Sequence, residues 1–108
     1  MKVVLAQINP TVGALDANSE KIKEIIREYT SRCDLIIFPE MVLTGYPPQD
    51  LLLDDTFIQQ TQEALDGIVA AVKSTAIIVG TIRKENNNLF NTAAVIQDNA
   101  IIAYRYKT

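Results

Sequence analysis

The chain has 108 residues, a formal net charge of -3, one cysteine and no histidine; 48% of its residues are apolar and 21% charged. That is enough chain for one domain with its own core, in an ordinary globular composition. No Lys/Arg run makes a basic surface for nucleic acid, no apolar stretch approaches the roughly 18–20 residues that span a bilayer, and the lone Cys33 excludes an internal disulfide.

In chain order, "KVVLAQI" (Lys2 to Ile8) is short and rich in β-branched residues, ends at Asn9-Pro10, and reads as a first strand. Met1-Lys2 leads straight into it without the longer apolar region and cleavage site of a signal peptide, which predicts a cytoplasmic protein. "TVGALDAN" is a loop, with Asn18 or Ser19 as candidate cap of a helix over Ser19 to Thr30. There Ile22, Ile25, Ile26 and Tyr29 recur at helical spacing opposite charged residues. "DLIIF" (Asp34 to Phe38) is nearly all apolar, as for a strand covered on both faces. A second helix is predicted from about Thr56 to Val72, and "AIIVGTI" (Ala76 to Ile82) is another buried strand. "KENNNLF" has turn chemistry, and "NTAAVIQ" and "AIIAYRYK" flank Asp98-Asn99 as an antiparallel hairpin. The order β-α-β-α-β followed by a hairpin predicts an α/β sheet. The chain stops at Thr108 directly after a strand, with no closing helix or tail, an abrupt ending for a complete domain.

Absent imidazole removes Ser-His-Asp and Cys-His activation and the commonest transition-metal ligand, leaving Glu, Asp, Lys, Tyr and Cys for chemistry. Glu40 follows the tip of the "LIIF" strand, where ligand sites lie in open α/β sheets. Pro39 fixes the exit direction, while Gly45, Pro47 and Pro48 restrict the loop that also holds Tyr46. That suits a positioned general base, although position alone favours a solvated loop acid or a helix cap. Lys107 ends the last strand; it reads either as a protective edge charge or as a cation facing an oxyanion. Strand alternation puts Tyr104 and Tyr106 on one face, Arg105 and Lys107 on the other. Cys33 starts the strand that Glu40 follows. Seven residues at about 3.3 Å each put the two on the order of 20 Å apart, so Cys33 reads as a buried core thiol. Asp50, Asp54 and Asp55 fit no calcium-loop spacing, and no metal site is predicted.

The ordered set "VVLAQINPTVG", "DLIIFPEMVLTGYPPQDLLL" and "YRYKT" resembles the carbon–nitrogen hydrolase (nitrilase) superfamily. "GYPPQDLLL" looks like the amino-terminal glutamine amidotransferase domain of glutamine-dependent NAD synthetases. The resemblance implies a nitrilase-like α-β-β-α sandwich, of which residues 1–108 are the first part, without the synthetase domain. It also implies a Glu-Lys-Cys triad. Glu40 matches the general base and Lys107 the residue that stabilises the tetrahedral intermediate; Tyr46 matches an aromatic position near the glutamine pocket. The family's nucleophilic cysteine comes after the lysine, and Cys33 matches no catalytic position. The activity implied is hydrolysis of glutamine, supplying ammonia for ATP-dependent amidation of deamido-NAD to NAD. This segment would hold no cofactor; ATP and magnesium would belong to the synthetase domain of a homo-oligomer. A stand-alone amidase of the same superfamily is one alternative, and a non-catalytic α/β module that binds a partner is another.

Overall fold

A computed structural model describes residues 1–39, 42–45, 54–86 and 88–106. The elements run β1 (Val3–Leu5), α1 (Leu15–Tyr29), β2 (Leu35–Ile37), α2 (Asp55–Ala71), β3 (Ala76–Glu85), β4 (Asn88–Gln97) and β5 (Ala100–Tyr106). They build one five-stranded sheet in the order β1-β2-β3-β4-β5. β1, β2 and β3 are parallel, each joined to the next through a helix; β3, β4 and β5 are antiparallel. The α/β order read from the sequence is the one observed.

Several boundaries differ, each for a local reason. α1 begins at Leu15, a turn earlier than the periodicity suggests. Asn18 and Ser19 therefore lie inside the helix and are buried, and the N-cap position is Ala14, with no side-chain cap bond. β1 is three residues long rather than seven, because only Val3 to Leu5 pair with β2. β3 and β4 extend into the asparagine-rich stretch, pairing as far as Glu85 with Asn88; Asn86 takes φ +51° at the turn. The second hairpin turns at Asp98 and Asn99, at φ +53° and +61°, the left-handed pair a two-residue turn demands. Asn99 also donates from Nδ2 to the carbonyls of Ala70 (2.9 Å) and Val69 (3.3 Å), so the turn closes the carboxyl end of α2. At the other end of α2, Asp54 Oδ1 accepts from the N–H groups of Thr56 and Phe57.

Both helices cover the same sheet face. Pairing puts Val4, Ile36, Ile77 and Ile96 in one row, and Ile22 and Ile26 of α1 with Leu65 and Ile68 of α2 join them in the core. The sequence suggested that "DLIIF" and "AIIVGTI" are covered on both faces. Within residues 1–108 the helices cover one of those faces; Leu35, Ile37 and Ile78 point the other way and are half-buried, and on β1 Val3 is 46% and Leu5 68% exposed. Ile36 is fully buried at the centre of the covered face. Ile36→Ala should cost about 2–5 kcal/mol, the range for a truncated core isoleucine. It should appear as a lower urea midpoint at unchanged slope. A cost under about 1 kcal/mol would show that the layer closes over the void.

Candidate functional site

The chain leaving β2 is held against β3. Phe38 N–H donates to Ile78 O (2.9 Å), and beyond the next turn Leu43 N–H donates to Gly80 O (3.3 Å). Between them, Val42 N–H donates to Pro39 O (3.2 Å), tying together the two described ends that flank residues 40 and 41. Val42, Leu43, Thr44 and Gly45 are all buried, so this loop is part of the packed body.

The loop has a second anchor. Gly13 N–H donates to Thr44 O (2.9 Å). Gly45 sits at φ +70°, where a Cβ would lie 2.9 Å from Val12 Cα, so only glycine allows this approach of the two loops.

Beside the carboxyl end of β2 lies a groove of about 300 Å³, lined by Phe38, Ile78, Gly80, Ala93, Arg105 and Tyr106. Its floor is the sheet face opposite the helices, as the register Gly80–Ala93–Arg105 requires. A wider concavity of about 770 Å³ is a different feature, set in the helix layer along Asp16, Glu20, Lys23 and Glu63. The groove has the better chemical setting, since it adjoins the end of a parallel strand.

The end of β5 is braced from the helix-side face. Arg83 stacks on Tyr104, with Cζ 3.9 Å from the ring centroid, and donates from Nη1 to the Tyr106 hydroxyl (2.7 Å). That hydroxyl donates to Glu85 Oε2 (2.6 Å), and the Tyr106 ring stacks on Phe90 at 4.9 Å. The bond to the Glu85 carboxylate holds the Tyr106 phenol above its ordinary value of 10, against the opposing charge of Arg83. Tyr104 and Tyr106 thus share one face and Arg105 takes the other, as strand alternation predicts. Nothing in the sequence announces the brace, because Glu85 and Phe90 lie within the "KENNNLF" stretch read as a turn and Arg83 directly precedes it.

Glu40, Tyr46 and Lys107, the three residues the family resemblance singles out, lie outside the described residues, and so does Asp50. Their described neighbours Phe38 and Tyr106 both line the groove. Cys33 is at the opposite end of β2. Its thiol is half-buried rather than buried, because it sits in the surface turn between α1 and β2, and it donates to Tyr29 O at 3.5 Å. Asp54 and Asp55 are committed elsewhere, to the helix cap and to an ion pair with Lys84 at 3.0 Å.

The Carbon-nitrogen hydrolase family profile matches residues 2–108. The glutamine-dependent NAD(+) synthetase of Synechocystis is 38% identical over 114 residues, covering 97% of this chain and 20% of its own. The solved structure of the glutamine-dependent NAD+ synthetase of Acinetobacter baumannii with ADP superposes with a TM-score of 0.88 at 33% identity, over 98% of this chain and 20% of that one. The Cytophaga hutchinsonii synthetase gives a TM-score of 0.93 at 20% identity, over all of this chain and 19% of that one, which shows the shared fold. The chain therefore spans about a fifth of the length of the relatives it matches.

Proposed function

The chain belongs to the carbon-nitrogen hydrolase family, and from that premise we propose that residues 1–108 form part of the glutamine-hydrolysing unit of a glutamine-dependent NAD synthetase. The observation that carries this reading is the match to the Synechocystis synthetase over 97% of this chain. The groove supports it, since it lies where an α/β sheet holds its ligand and is lined by Phe38 and Tyr106, close neighbours in sequence of the two triad positions.

In this reading a cysteine beyond residue 108 is the nucleophile. Its thiol proton passes to Glu40 as the sulfur attacks the side-chain amide carbon of glutamine. Lys107 stabilises the oxyanion of the tetrahedral intermediate, and Tyr46 borders the pocket. When the carbon–nitrogen bond breaks, Glu40 returns the proton to the leaving nitrogen and ammonia departs. Water, deprotonated by Glu40, then cleaves the thioester to glutamate and free thiol. The ammonia amidates ATP-activated deamido-NAD in a cytoplasmic homo-oligomer. ATP and magnesium belong, in this reading, to the synthetase domain.

The test compares two proteins. The full-length synthetase should transfer the amide nitrogen of labelled glutamine into NAD. Residues 1–108 alone should release no glutamate from glutamine, and Cys33→Ala should change nothing. Cys33 and Phe38 bracket β2 and are about 17 Å apart along an extended chain, far beyond the roughly 3 Å of direct proton transfer. Glutamate release by residues 1–108 that vanishes in Cys33→Ala would make Cys33 the nucleophile and refute the mapping.

A further inference from the structure

Asn18 is fully buried inside α1, where an amide has no part in the helix ladder. Its side-chain bonds all go outward, while its backbone N–H keeps the helical bond to Ala14 O (2.9 Å). Oδ1 accepts from Thr11 N–H (2.8 Å), and Nδ2 donates to Thr11 O (2.8 Å) and Leu43 O (3.0 Å). One side chain therefore joins the loop after β1 to the loop after β2. Beside it, Gly13 N–H bonds Thr44 O and Gly45 rests against Val12. The clamped residues, Val42 to Gly45, lie in the stretch of chain between Glu40 and Tyr46.

We propose that Asn18 is a positioning residue for glutamine hydrolysis, fixing the loop whose flanks carry the base and the pocket aromatic. The inference rests on the functional reading above. An amide suits the task because it offers an acceptor and two donors in one rigid plane. No apolar residue of that size satisfies the carbonyls of Thr11 and Leu43, and a buried carbonyl left unpaired is costly. The catalytic consequence follows from the general sensitivity of a reaction to placement, since misplacing a reacting group by about 1 Å can cost on the order of a hundredfold.

The experiment uses the full-length synthetase with Asn18→Asp, which keeps the shape but turns the donor into an acceptor facing two carbonyls. Gly45→Ala is the companion variant; it forces the same two loops apart and leaves Asn18 intact. In both, kcat with glutamine should fall about ten- to hundredfold. Synthesis from ammonium should stay at the wild-type level, and hydrogen exchange at the Thr11 and Gly13 amides should speed up. Faster exchange with unchanged glutamine turnover would overturn the proposal. Equal loss with both nitrogen sources would also overturn it, showing a structural role only. Wild-type enzyme that cannot use glutamine at all would instead refute the functional reading, and this is seen before any variant is compared.

Discussion

Glu40→Gln should lower glutamine-dependent NAD synthesis by at least about a hundredfold while synthesis from free ammonium survives. The amide keeps the size of the side chain and removes its basicity, so the thiol proton has no acceptor and the leaving nitrogen no donor. Ammonium enters after that step and bypasses it. Comparing nitrogen sources separates chemistry from folding, because a misfolded protein would lose both activities. Initial rates of NAD formation with saturating glutamine, then with saturating ammonium, make the measurement. Equal losses would assign Glu40 a structural role at the strand end. A loss confined to glutamine, alongside an Asn18→Asp variant of the same selectivity, would show the base and its supporting loop acting as one unit.

Much of the fold was legible because its signals are local. The α2 span was readable from periodicity, and Asp98-Asn99 announced a turn that both residues then make with positive φ. What covers the second face of the sheet is not legible from an apolar run. An apolar run such as "LIIF" looks alike whether helices cover one face or something covers both, and here Leu35 and Ile37 are half-buried. Asn18 was misread for a related reason. Asparagine just before an apolar helical pattern is ordinarily a cap, and only the approach of Leu43, 25 residues away, reveals its other use. The brace on Tyr106 likewise joins residues more than 20 positions apart. Of the site itself, the sequence yields the residue types and their order through family resemblance, whereas the structure contributes the groove and the anchored loop beside it.

Lys107→Met should lower glutamine hydrolysis by about a hundred- to a thousandfold, the cost of losing one oxyanion stabiliser. Methionine keeps the length of the stem and discards the charge, so the loss falls on the tetrahedral intermediate. Lys107→Arg should not restore full activity, because a planar fork cannot stand in for a compact ammonium at a single oxygen. The sharp comparison is with Arg105, the described cation that lines the groove. Its guanidinium donates to Tyr104 O at 3.0 Å on an exposed strand edge, a place where a charge has little leverage. Arg105→Met should therefore cost only a few-fold. Single-turnover release of glutamate from each variant, with ammonium-driven synthesis as the control for folding, measures both. If Arg105→Met gave the larger loss, the cation at the oxyanion would be Arg105. The groove would remain the site, but the assignment of Lys107 drawn from family resemblance would fall.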